Sequence, residues 1–210
     1  MYCAWREDIT FSNTRKEHDR LYIMSSYNLD YTFDENLREL PVNPEDMYAY
    51  VSKQLQLYKL ADNPLEQTKV LGEAGVYLRI LRKLDEAEKY LIEAGNVISQ
   101  NLLPISVKVS QQIRLAHVYQ WKGNFKISNK MFDEILKVCE VEKNLGALID
   151  FSWQHAGKNY FDQKKWPLAL EAFEKALKLR KLRGAPQEQI DSSIKSIEKV
   201  KFLIKSQVQS

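Results

Sequence analysis

Stacked pairs of α-helices, an all-α solenoid, are the fold this sequence predicts, and three observations carry that expectation. Glycine and proline are scarce, seven and six in 210 residues, too few for the many tight turns of an all-β chain. A set of small and large apolar residues recurs at a constant offset of 41 positions, the mark of a repeat architecture. Within each copy these residues fall three and four apart, which puts them on one face of a helix.

The clearest copy holds Gly157, Tyr160, Trp166, Ala169, Phe173 and Ala176. At the same internal spacing stand Ala116, Tyr119, Phe125, Ser128, Phe132 and Ile135, and before them Gly75, Leu78, Leu84, Ala87, Leu91 and Ala94. Each copy reads as two helices. Where helices must approach to about 8 Å, only a small residue fits the crossing, and a large one four places on fills the adjoining hole.

Taken in order along the chain, Asn43-Pro44 supplies an N-cap and a first-turn proline for a leading helix whose buried face is Met47, Val51, Leu55 and Tyr58. Asn63-Pro64, Leu103-Pro104 and Ala185-Pro186 punctuate the chain in the same way and bracket repeats near 68–103, 109–144 and 150–183. A last helix over 186–206 carries Ile190, Ile194, Ile197, Val200 and Ile204 on one face and polar residues on the other, as a terminal cap requires. The repeat domain is thus expected over 43–210. Residues 1–42 show no period; their Tyr, Leu, Ile and Met content suits one or two further helices or an ordered arm lying on the array.

At Trp153, Ala156-Gly157, Tyr160, Ala169, Phe173 and Ala176 the chain resembles the tetratricopeptide repeat (TPR) family, in its long-repeat form. The usual period is 34 residues; seven more are about two helical turns, so longer helices or linkers are expected. The resemblance covers roughly 66–183 and implies a right-handed solenoid of antiparallel helix pairs, with a concave groove lined by the first helix of each pair.

Composition excludes several functions. The net charge of +3 is divided between an acidic head, −3 over residues 1–44, and a body of +6, too weak for a nucleic-acid-binding domain. The basic stretch Lys175, Lys178, Arg180, Lys181, Arg183 is read as cations favoured at a helix C-terminus. Cys3 and Cys139 form no CxxC or Cys/His cluster, and His18, His117 and His155 form no metal-binding motif. Phosphate-loop, dinucleotide and GxSxG motifs are absent. The expectation is a non-enzyme with no metal and no cofactor. No stretch has the roughly 20 apolar residues of a membrane helix, and the start has no signal-peptide layout, so a cytoplasmic location is expected, without membrane or nucleic-acid partners.

The resemblance to the TPR family locates the groove at Lys69, Gly72, Val76, Arg79 and Ile80, then Ser110, Ile113, His117, Gln120 and Trp121, then Phe151, Gln154, Lys158, Phe161 and Asp162, continued by Lys195, Lys199 and Phe202. Lys69, Arg79, Ile113, His117, Trp121, Gln154, Lys158, Lys195 and Lys199 are the expected peptide-binding residues. Cations among aromatic surface suit a protein or peptide ligand, acidic in character. Gly72, Val76, Ile113 and His117 stand where the family's chaperone-binding members carry their Lys and Asn clamp, so that ligand is not expected. An adaptor is the leading reading. One alternative is a regulatory sensor whose acidic, Tyr-rich head (Tyr22, Tyr27, Tyr31, Asp30, Asp34, Glu35) occupies the groove; another is a subunit of a larger assembly.

Overall fold

The computed structural model of the chain describes residues 26–142 and 144–208. Among the described residues two short strands, β1 (Tyr31–Phe33) and β2 (Glu39–Pro41), precede eight helices: α1 (Pro44–Tyr58), α2 (Pro64–Ile80), α3 (Leu84–Gln100), α4 (Ile105–Trp121), α5 (Phe125–Val141), α6 (Ala147–Asp162), α7 (Trp166–Leu182) and α8 (Gln187–Val208). Helices α2/α3, α4/α5 and α6/α7 are the three pairs, α1 leads and α8 closes the array. The longer period resides in the helices, which run to 16 or 17 residues. Asn43 and Asn63 cap α1 and α2 by accepting from the Asp46 and Leu65 amides at 3.0 and 2.8 Å.

The repeat residues meet at the crossings within pairs. A Cβ on Gly75 would lie 2.4 Å from Leu91, and one on Gly157 would lie 2.6 Å from Phe173, so hydrogen alone fits beneath each large residue. Ala87, Leu91 and Ala94 are fully buried, as are Ala116, Phe132 and Ile135, then Ala169, Phe173 and Ala176. Ser128, at a position the other copies fill with alanine, makes its hydroxyl fit by donating to Asn159 Oδ1 at 2.7 Å.

The turn inside each pair also repeats. Arg82, Gly123 and Lys164 all have positive φ, +62°, +73° and +58°. Each is followed by an amide that reaches back five residues, Lys83 to Leu78, Asn124 to Tyr119 and Lys165 to Tyr160, at 2.9 to 3.0 Å. These are Schellman closures, which satisfy the last carbonyls of the first helix and send the chain back antiparallel.

First helices of successive pairs pack directly on one another, α2 with α4 and α4 with α6, and form the inner wall. Against this wall lies the hairpin. Its strands pair Tyr31 with Pro41, Thr32 with Leu40 and Phe33 with Glu39. Asp34 closes the turn: its carboxylate accepts from the Asn36 and Arg38 amides at 2.8 and 2.9 Å. Leu29 and Tyr31 pack with Met47, Val76 and Ile80 at one end of the array, and Leu37 joins the Phe161, Phe173 and Val200 cluster at the other. A polypeptide segment therefore spans the inner wall from the leading helix to the third repeat.

Candidate functional site

Helical spacing brings Arg79 at the end of α2, His117, Gln120 and Trp121 on α4, and His155, Lys158 and Asp162 on α6 to one inner surface. Into it the hairpin inserts Glu39, 3% exposed. The Glu39 carboxylate accepts from Arg79 Nη1 at 2.8 Å and from Lys158 Nζ at 3.2 Å. Burial alone would raise this carboxyl; the charges of Arg79 and Lys158 and the bond from Arg79 outweigh it and hold Glu39 well below the usual carboxylate range.

A second charged contact lies beside the first with its signs reversed. Arg38 donates to Asp162 Oδ2 at 2.8 Å, and Gln120 Nε2 donates to the same oxygen at 3.0 Å. Trp121 is 6% exposed because guanidinium groups cover its ring: Arg82 at 4.0 Å, Arg79 at 4.3 Å and Arg38 at 5.5 Å from the centroid. Arg82 also pairs with Asp34 at 3.7 Å. Beneath the ion pairs, the His117 and His155 rings stand 4.6 Å apart. Burial first, then neighbouring cations, holds both imidazoles well below the usual histidine range, so both are neutral at pH 7.

Of the nine expected site residues, Arg79, Ile113, His117, Trp121, Gln154 and Lys158 are buried. Arg79, His117, Trp121 and Lys158 gather under the hairpin. Ile113 packs in the core with Val109, Ala116 and Phe132. Gln154 tethers the cap: its Oε1 accepts from Ser193 at 2.8 Å, and its Nε2 donates to Ser196 at 3.2 Å. Lys69 and Lys195 lie exposed at the two ends of the wall, with Lys199 half-buried beside Lys195. The basic stretch in α7 is partly consumed inside the fold, since Arg180 and Arg183 both pair with Asp150, at 3.4 and 2.9 Å.

The residues of the site that sequence reasoning missed are Arg38, Glu39, Arg82 and His155. The charge division between head and body pointed to the acidic segment that carries Glu39, and nothing in the sequence singled out the other three. The head residues Tyr27, Asp30, Tyr31, Asp34 and Glu35 are among those described; Tyr22, Cys3 and His18 lie outside the described residues. No described helix is long and apolar enough to cross a membrane.

No protein-family model matches the chain, and no curated protein matches it. Solved structures do. PlcR of Bacillus thuringiensis, crystallised with the peptide PapR7 and DNA, is similar with a TM-score of 0.60 at 15% identity, over 96% of this chain and 75% of that one. BtubC (BKLC) of P. vanneervenii gives 0.57 at 12% identity over 79% and 76%. Kinesin light chain TPR-like repeats of Podosopora anserina give 0.53 at 13% identity over 92% and 95%. At such identities the likeness speaks for the fold, and together with the 41-residue spacing it makes this chain a TPR-like helical-repeat solenoid.

Proposed function

We propose that the chain is a protein-interaction module, and not an enzyme, whose inner groove takes up a peptide segment of a partner in competition with its own hairpin. The observation that carries this reading is Glu39 held between Arg79 and Lys158: the groove already grips a stretch of extended polypeptide through side chains contributed by two separate repeats. The hairpin is only partly covered, with Phe33 45%, Leu40 40% and Val42 54% exposed, so its hold on the wall is limited and a partner can displace it. A similar fold, that of PlcR, is described in complex with the peptide PapR7 and DNA, which is consistent with such a role. The basic rim at Lys69, Lys195 and Lys199 suits a ligand with acidic residues outside the hairpin's footprint.

Photo-crosslinking tests the location. A benzophenone amino acid replaces Phe202, 65% exposed on α8, or, in a separate variant, Leu168, 46% exposed on the outer helix α7. Adducts from native lysate formed at position 202, absent at 168 and suppressed by a synthetic peptide of residues 29–42, are the expected result. Adducts confined to position 168 would move the working surface to the outside of the array and end this reading.

A further inference from the structure

We infer that the hairpin is a built-in mimic of the ligand, and that the partner's segment is an extended strand carrying an adjacent cation and carboxylate: the carboxylate takes the place of Glu39 between Arg79 and Lys158, and the cation takes the place of Arg38 against Asp162 and Trp121. This rests on the groove being a binding surface, as proposed above, and adds what the surface reads.

Three features of the wall support it. First, the wall holds an anion site and a cation site side by side, built from different helices. Arg79 on α2 and Lys158 on α6 converge on one carboxylate, while Asp162, itself held by Gln120, and the Trp121 ring converge on one guanidinium. Buried cations are costly unless paired, and both cations of the anion site are paired by the hairpin's Glu39. The wall is therefore complementary to an occupant with a defined order of charges.

Second, the wall offers more than the hairpin uses. With the hairpin in place, Arg79 Nη2, Trp121 Nε1, Gln120 Oε1 and His117 Nε2 are buried without a hydrogen-bond partner among the described residues. Each such group disfavours the closed state relative to an occupant that satisfies it. A strand with carbonyl oxygens turned to Arg79 and Trp121 would therefore hold the same site more tightly than the hairpin does.

Third, the hairpin does not fill the groove. An open pocket of about 50 Å³ lies beside it, lined by Phe33 and Glu39 of the hairpin, by Phe151, Gln154, Lys158 and Arg180 of the wall, and by Gln189 of α8. The occupant's backbone is engaged as well as its side chains: Arg82 Nη2 reaches the Glu39 carbonyl at 3.4 Å. Contact with backbone and with consecutive side chains suits an extended segment.

The test uses a fluorescein-labelled peptide of residues 29–42 and fluorescence anisotropy with the full chain, either wild type or Glu39→Ala. The peptide should bind the Glu39→Ala chain roughly tenfold or more tightly than the wild-type chain, whose own hairpin competes. Glu39→Gln or Arg38→Ala in the peptide, and Lys158→Glu in the chain, should each weaken binding about tenfold or more. If the altered peptides bind as well as the original, the paired-charge reading is overturned while groove binding stands. If no peptide binds and crosslinking at position 202 still captures a partner, the mimic is overturned alone. Crosslinking confined to position 168 overturns the underlying reading, whatever the peptides do. Should Glu39→Ala lose helix by circular dichroism, the Glu39→Gln chain replaces it, since that change removes the charge and keeps the shape.

Discussion

Replacing Glu39 by Gln is the sharpest perturbation of the closed groove. The amide keeps one acceptor for Arg79, yet it turns donors toward the Lys158 ammonium and leaves two cations buried without an anion. Removing one partner of a buried ion pair costs about 3–5 kcal/mol while the remaining charge stays buried. Here the chain has an escape: if the hairpin lifts, water returns to Arg79 and Lys158. What opposes lifting is mainly the burial of Leu29, Tyr31 and Leu37, all half-buried, which at half the value of a fully buried side chain is about 3 kcal/mol in total. The two quantities are comparable, so the substitution should open the hairpin rather than unfold the array. A loss of about 3 kcal/mol raises the open population roughly 100-fold. Hydrogen exchange read by mass spectrometry measures this directly. An undocked two-stranded hairpin is marginal in water, so amides of residues 32–42 should exchange about 100-fold faster, with α4 and α5 unchanged. Hairpin exchange equal to wild type, or acceleration spread evenly through α2, α4 and α6, would refute the reasoning and make the hairpin an integral part of the fold.

Other expectations follow from the same structure. Because His117 and His155 are held below the usual histidine range by burial and by neighbouring cations, stability should be level above about pH 7. It should fall as pH drops through the unfolded value of 6.5, by up to about 1.4 kcal/mol per pH unit for each imidazole. Glu39, with its lowered value, stabilises fully above 4.5 and withdraws that contribution only below it. Urea midpoints at pH 7.5 and 5.5 check this: His117→Gln with His155→Gln should flatten the difference, and a level wild-type profile would contradict it. At the helix crossings, Gly75→Ala and Gly157→Ala, whose new methyl groups would meet Leu91 and Phe173 at 2.4 and 2.6 Å, should each cost about 1–3 kcal/mol in urea denaturation. Gly95→Ala on α3, with nothing within 4 Å, should stabilise by about 0.5–1 kcal/mol. At the repeated turn, Gly123→Ala should cost about 1 kcal/mol, while Lys164→Gly, at an exposed residue with φ +58°, should raise the thermal midpoint.

The sequence by itself determined the repeat. Gly157, Phe173 and their counterparts 41 and 82 residues earlier answer to a local rule, small beneath large at a helix crossing, and a local rule applied three times leaves a visible period. The leading and closing helices were legible for similar reasons, from Asn-Pro and Ala-Pro punctuation followed by one-sided apolar spacing. The inner wall was legible as a list of positions, though not as a set of contacts: Ile113 and Gln154 belong to packing and to the cap, while Arg79, His117, Trp121 and Lys158 share a site. What only the tertiary structure decided is the occupant of that site. Glu39 meets Arg79 across 40 residues and Lys158 across 119, and Arg38 meets Asp162 across 124. Such pairings obey no period and depend on no neighbour in sequence. They arise because burial makes an unpaired charge costly wherever it comes from, and the segment that neutralises Arg79 and Lys158 is a short hairpin whose composition alone resembles an exposed acidic tail.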